Sequence, residues 1–155
     1  RQQRVSPPLL FSIARQESAF AADAKSPAGA LGLMQLMPST ARYTARKAGV
    51  RYRKHDLLMP EKNITLGSHY INELLTQFDG NRILASAAYN AGPSRVKKWL
   101  SSTDKQLDHD IWVEIIPFKE TRKYVQNILS YSVIYGYRMG RKLPLLTEKE
   151  LHQRL

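Results

Sequence analysis

The stretch Pro7-Pro8-Leu9-Leu10-Phe11-Ser12-Ile13-Ala14-Arg15-Gln16-Glu17-Ser18-Ala19-Phe20-Ala21 has the helical period on which the reading of the whole chain turns. Leu10, Ile13 and Ala14 fall on one stripe at i, i+3 and i+4, and Glu17 continues it at i+7. Ser6 before Pro7 reads as an N-cap followed by proline at the first helical position. A helix is therefore expected from Pro7 to about Phe20. Glu17 is a carboxylate on a stripe that should be apolar. In apolar surroundings a carboxyl group prefers its neutral form, so its pKa rises. An acid still protonated near neutral pH is what general acid catalysis requires. A buried glutamate paired with an arginine would occupy the same position, so Glu17 acquires its meaning from its neighbours.

Outward from this helix the chain reads as helical almost throughout. Ala24 to Gly32 is a Ser/Pro/Gly-punctuated loop. Pro38 opens a helix through about Lys47, ended by Gly49, and Arg51 to Met59 reads as an irregular basic loop. Pro60 starts a third helix with Ile64, Gly67, Ile71, Leu74, Leu75 and Phe78 on one face, ended by Asp79-Gly80. Ile83 to Tyr89 and Ser94 to Leu100 are shorter helices separated by Gly92-Pro93. Ser101 to Asp110 is polar and expected on the surface. The longest helix is expected from Phe118 to Met139, apolar nearly all round from Tyr124 to Tyr137, with a stripe through Tyr124, Ile128, Tyr131, Tyr135 and Arg138. Thr147-Glu148-Lys149-Glu150 is a capping box that opens a terminal helix over 147–155. No strand ladder or repeat is visible, so the fold class is all-α: a helical domain with long loops.

At 155 residues the chain is read as one domain, residues 1–155, with 43% hydrophobic residues to fill a core. Without cysteine there is no disulfide scaffold, cysteine nucleophile or cysteine-based metal site. No apolar run is long enough for a membrane span. The opening RQQRVSPP lacks an apolar signal core, and Arg1 in place of a methionine is what a processed or excised piece would show. The net charge of +11 suits a polyanionic partner. Nucleic acid, anionic lipid and an acidic cell-wall polymer all qualify on charge. The basic residues are dispersed, however, and no nucleic-acid motif accompanies them.

Three short stretches carry chemistry. The first is Ala14-Arg15-Gln16-Glu17-Ser18-Ala19-Phe20. The second, Gly29-Ala30-Leu31-Gly32-Leu33-Met34-Gln35-Leu36-Met37-Pro38, has glycines that admit close backbone approach and presents Gln35 before a helix N-terminus. The third, Ala87-Ala88-Tyr89-Asn90-Ala91-Gly92, sets a phenol and an amide among small residues. Together with IPFKETRKYVQNIL at Ile116 to Leu129, and in this order, they resemble the soluble lytic transglycosylases of bacteria, a goose-lysozyme-like family that cleaves peptidoglycan. The matching stretches are ESAF at Glu17 to Phe20, GLMQLMPST at Gly32 to Thr40, AAYNAGPSRV at Ala87 to Val96 and the Ile116 stretch. The resemblance runs from about Val5 to Arg141 and is closest to the carboxy-terminal catalytic domain of the large soluble enzymes.

The resemblance implies a lysozyme-like α fold and a periplasmic enzyme. It implies cleavage of the β-1,4 bond between N-acetylmuramic acid and N-acetylglucosamine with a 1,6-anhydro product, without cofactor or metal. Glu17 matches the family's single acid/base. Ser26, Gln35 and Met37 match positions lining the saccharide groove, and Tyr89 and Asn90 match the Tyr-Asn of the third motif. Glu120 sits where the family has a second acidic residue and is expected to support or bind, not to act as nucleophile. Ordinary glycosidases use two carboxylates; one suffices where the substrate's 2-acetamido group stabilises the cationic centre. Tyr89 would donate toward that acetamido group or to Glu17. The implied partner is the peptidoglycan glycan strand, with no nucleic acid; the chain names no protein partner from cell-wall synthesis or secretion machinery. A goose-type hydrolase is the enzymatic alternative, and an inactive peptidoglycan-binding module the non-enzymatic one.

The remaining polar and aromatic residues have plainer readings. Leu33, Met34 and Leu36 read as core. His55, His69, His109 and His152 lack metal-ligand spacing and read as surface or packing residues. Trp99 suits a sugar platform or a core position equally. Asp108 and Asp110 read as solvated loop charges, and Glu114 lies close enough to Glu120 in sequence to be confused with it.

Overall fold

The computed structural model describes residues 5–103 and 106–155. Asp104 and Lys105 of the expected polar loop, and Arg1 to Arg4, lie outside the described residues. The chain forms two compact units, one through Glu73 and one from Leu74 to Leu155. Among the described residues there are helices and two isolated β-bridges, Lys25 with Leu31 and Leu31 with Leu36, but no strand ladder.

In the first unit, α1 spans Pro7–Ser18. Ser6 has the extended backbone of an N-cap, but its side chain makes no capping bond, so the helix start rests on Pro7. The buried stripe is Leu9, Ser12, Ile13 and Ala14, while Leu10 is half-buried. The helix α2, Pro38–Ala48, ends on Gly49 at φ 67°, a left-handed cap that glycine adopts without strain. The expected basic loop contains a 3-10 turn, Lys54–Leu58. Asp56 organises it: the carboxylate is buried, accepts from the Arg53 amide at 2.9 Å and receives the Lys62 ammonium at 2.9 Å. The Lys62 bond and the Arg53 amide hold the Asp56 carboxyl below its usual range, against the effect of burial.

The helix α3, Pro60–Gln77, begins in this unit. Its expected face is corrected at Ile64, which is 39% exposed. The fully buried position is Asn63, one residue earlier, followed by Leu66, Gly67, Ile71 and Leu74. Polarity hid Asn63 from a reading that looked for apolar residues.

In the second unit, α4 (Arg82–Ala91) packs on α5 (Pro93–Ser101) and on α7 (Lys119–Arg138). α4 is buried along Ile83 to Ala88, and its small residues admit close neighbours. Asn81 caps it, accepting from the Leu84 amide at 3.0 Å. The polar surface loop expected over 101–110 is corrected at both ends. Ser101 closes α5, and His109 opens α6, His109–Glu114, which packs on α7. α6 buries His109, Trp112 and Val113; one and a half turns are too short for a period to stand out.

α7 is corrected too. Its buried stripe is Thr121, Tyr124, Val125, Ile128, Leu129, Ser132 and Gly136. Arg138 is exposed, as are Ile134 and Tyr137, the last at 75%, so the helix is not core on all sides. Leu143 folds back over Gly136, where a β-carbon would collide with it. The capping box forms as expected: the Glu150 amide donates to Thr147 Oγ1 at 3.3 Å, and the Thr147 amide to Glu150 Oε2 at 2.8 Å. The helix it opens, α8, is shorter than expected, Glu148–His152, because Leu155 turns away to pair with the Leu107 backbone at 2.7 and 2.8 Å.

Candidate active site

The expected site residues fall into two groups, one in each unit. In the first, Glu17 lies half-buried in the last turn of α1. The helix stops abruptly after it: Ala19 and Phe20 take left-handed conformations at φ 50° and 66°. Side chains with a β-carbon enter this region at a cost of roughly 1–2 kcal/mol each. Gln35 at φ 47° is a third such residue, in the loop that follows. Backbone strain of this kind clusters at functional sites, where surrounding contacts over-determine the chain.

Those contacts are visible. Ser18 Oγ donates to the Leu33 carbonyl at 2.8 Å, tying the end of α1 to the loop. Gln35 Nε2 donates to the carbonyls of Ala24 and Gly32, both at 3.0 Å, so both its amide hydrogens brace the loop. The oxygen Oε1 is the part of Gln35 left to meet a ligand. Ser26 closes the turn at 26–30: its amide donates to the Ala30 carbonyl, and its hydroxyl accepts from the Ala30 amide, each at 3.0 Å. Its hydroxyl hydrogen remains to be donated. Met37 is exposed and immediately precedes Pro38 of α2. Met34, read as core, is fully buried and sits against Gly67.

The residue holding this loop is Asn63, which the sequence reading passed over. Nδ2 donates to the carbonyls of Leu31 at 2.9 Å and Leu57 at 2.8 Å, and Oδ1 accepts from the Met34 amide at 2.8 Å. Gly32 sits so close that a β-carbon would overlap the Leu57 carbonyl and the Asn63 amide, and its φ is 78°. A polar residue on the apolar stripe of α3 was the available signal, the same signal that singled out Glu17.

In the second unit, Tyr89 and Asn90 occupy the last turn of α4, both half-buried. Asn90 and Glu120 come together: Asn90 Nδ2 lies 3.4 Å from Glu120 Oε1. Glu120 is exposed in the first turn of α7, where the helix dipole favours a negative charge. Thr121, whose place in the Glu-Thr-Arg stretch gave no sign of a role, donates its buried hydroxyl to Asn90 Oδ1 at 2.7 Å. Trp99 is half-buried, edge-on to Phe118 at 5.2 Å, and lines a cavity of about 450 Å³ with Trp112 and Ile116. Glu114 is exposed and accepts from Gln126 at 3.1 Å, away from the Asn90–Glu120 pair. Among the described residues no group of three or more His, Asp or Glu could hold a metal ion, and no helix is long and apolar enough to cross a membrane.

Two family descriptions match successive parts of the chain, with a boundary that falls inside the second unit. Residues 1–112 match the Transglycosylase SLT domain, and residues 115–143 match the soluble lytic transglycosylase helical domain. The chain belongs to the SLT transglycosylase family. Its relatives include the soluble lytic murein transglycosylase of Salmonella typhimurium, 46% identical over 99% of this chain and 24% of that protein. Among solved structures, an inactive glutamate-to-glutamine variant of the lytic transglycosylase Slt from Pseudomonas aeruginosa matches with a TM-score of 0.92 at 49% identity, over 97% of this chain and 24% of that one. A complex of the 70-kDa soluble lytic transglycosylase with bulgecin A matches with a TM-score of 0.95 at 43% identity, over 99% of this chain and 25% of that one. The chain thus spans about a quarter of the length of these relatives. Its fold is the all-α, lysozyme-like one that the sequence motifs imply.

Proposed function

We propose that this chain is one catalytic domain that cleaves the β-1,4 bond between N-acetylmuramic acid and N-acetylglucosamine in peptidoglycan without consuming water, in the bacterial periplasm. The observation that carries the reading is Glu17: a half-buried acidic residue in the last turn of α1, at the head of four family motifs in order. In the proposed reaction Glu17 starts as the neutral acid, the form that general acid catalysis requires. The neutral acid protonates the leaving glycosidic oxygen. The 2-acetamido group of the substrate stabilises the cationic carbon left behind. Glu17, now ionised, takes the proton of the C6 hydroxyl as that oxygen closes on the anomeric carbon. One carboxyl thus serves as acid and then as base, and the 1,6-anhydro ring is the product.

Ser26, Gln35, Met37, Tyr89, Asn90 and Glu120 are proposed as substrate-binding residues. Support comes from their motif positions, the free hydroxyl hydrogen of Ser26, the outward exposure of Met37 and the Asn90–Glu120 contact. That the Pseudomonas aeruginosa relative is inactive as a glutamate-to-glutamine variant supports an indispensable glutamate. The +11 charge suits a wall rich in carboxylates and acidic polymers.

The test is to incubate the protein with purified sacculi and weigh the soluble muropeptides. Anhydro products, each one water lighter than hydrolysed ones, are expected. Hydrated products would replace this reading with a goose-type hydrolase. Binding without release of product would leave a peptidoglycan-binding module.

A further inference from the structure

Asn90 is held at both ends of its amide by two consecutive residues of α7. Glu120 Oε1 lies 3.4 Å from Nδ2, and Thr121 Oγ1 lies 2.7 Å from Oδ1. An asparagine amide is nearly symmetric in shape, and its partners decide which end is which. An ionised carboxylate only accepts hydrogen bonds, so it requires the NH2 end of Asn90 to face Glu120. Oδ1 must then face Thr121, whose hydroxyl is the donor there. The Thr121 residue is 1% exposed, so water cannot readily replace that hydroxyl. A helical threonine commonly donates to the carbonyl four residues back; Thr121 instead spends its hydrogen on another helix.

We propose that Thr121 is a positioning residue for substrate binding: its hydroxyl fixes the Asn90 amide so that the amide steers Glu120 toward bound glycan. The inference rests on the reading that Asn90 and Glu120 contact the substrate. Without the hydroxyl, Oδ1 of Asn90 faces a buried apolar surface, which is unfavourable for an unpaired carbonyl oxygen. The amide turns away from that surface, and Glu120 loses the neighbour that orients it. Exposed carboxylates without such a neighbour sample several rotamers, and binding weakens accordingly.

The experiment measures calorimetric binding of soluble peptidoglycan glycan strands in a Glu17→Gln background, where turnover does not intrude. Thr121→Val removes the hydroxyl at constant shape, and Thr121→Ser keeps it. The valine variant is expected to weaken Kd by about tenfold, the scale of one hydrogen bond, with serine restoring most of the loss. Equal binding by the valine variant and its parent would overturn the proposal. So would equal losses in valine and serine variants, because those would follow the lost packing of the threonine methyl rather than its hydroxyl. Failure of the underlying reading looks different: the Glu17→Gln parent would then bind no strands at all.

Discussion

The Ser18 hydroxyl, one residue along the chain from Glu17, donates a 2.8 Å hydrogen bond to the carbonyl of Leu33. The bond joins the end of α1 to the loop carrying Gln35, just where Ala19 and Phe20 hold left-handed backbone. Removing it with Ser18→Ala should cost about 1 kcal/mol of stability, the usual worth of one such bond. Urea denaturation measures this directly. Release of muropeptides from sacculi should fall several-fold, because the backbone next to the proposed acid loses its anchor. A stable variant with unaltered release would mean that the strained corner is held elsewhere.

Glu17→Gln keeps the size and shape of the side chain and removes its proton. Loss of general acid catalysis costs on the order of 10²–10⁴-fold, and the proposed reaction uses the group twice. The variant should keep its helical circular dichroism and lose at least a hundredfold in rate. More than about a tenth of the wild-type rate would remove Glu17 from the mechanism.

The loop beside Glu17 depends on one buried amide. Asn63→Leu strips a donor pair from the Leu31 and Leu57 carbonyls and an acceptor from the Met34 amide. The Leu31 carbonyl keeps its bond from the Leu36 amide, so the loss falls on the Leu57 carbonyl and the Met34 amide; at about 1–3 kcal/mol for each buried bond removed, a loss of roughly 3 kcal/mol is expected. Gly32→Ala should be comparably damaging, since the new methyl collides with backbone and the left-handed φ is strained. Thermal melts of both variants check this; a shift of only a degree or two would show that the loop repacks.

Helix boundaries were legible in the sequence wherever proline or glycine punctuates it. Pro7, Pro38, Pro60 and Pro93 each open a helix, and Gly49 closes one. The Thr147 capping box was legible because both halves of its hydrogen-bond exchange lie within four residues. What was not legible depends on partners far along the chain. Nothing near Asn63 announces Leu31, and nothing near Glu150 announces Arg82. α6 escaped because its six residues span too little chain for a period to emerge. On α7 the tyrosines misled the reading, since a phenol ring reads as apolar yet Tyr137 stands in solvent. At the candidate site the motif residues were legible, but the side chains that orient them, Ser18 toward Leu33 and Thr121 toward Asn90, became clear only in three dimensions.

The second unit contains a built-in sensitivity to acid. Arg82 grips Glu150 with two bonds, Nε to Oε1 at 2.7 Å and Nη2 to Oε2 at 2.8 Å, and Thr147 adds its amide. Burial pushes the Glu150 carboxyl up, but the Arg82 and Thr147 bonds more than offset it and hold it below its ordinary value of 4.5. The folded state therefore binds this proton less tightly than the unfolded chain. The resulting stability is present above about pH 4.5 and is lost as pH falls through the folded value. Nearby, His109 contacts Asn81 Nδ2 at 2.6 Å. Burial holds the ring below its ordinary 6.5, against Glu150, the Gln153 backbone, Asp108 and Asp110, which favour the charged form. Here too the unfolded chain takes up the proton first, so stability declines as pH drops below about 6.5. The melting temperature should therefore fall in two stages, the upper one from His109 and the lower one from Glu150 together with Asp56, whose carboxyl is likewise held low. His109→Gln should flatten the upper stage alone. Glu150→Gln at neutral pH should cost roughly 3 kcal/mol, because it leaves the largely buried Arg82 without its counter-ion. The double variant Arg82→Leu with Glu150→Leu should recover most of that loss, since an apolar pair leaves no charge stranded, and should shrink the lower stage to the share of Asp56. Melts of the four proteins from pH 8 to 3 decide the matter. A lower stage left undiminished in the double variant would assign the acid sensitivity to carboxylates other than Glu150.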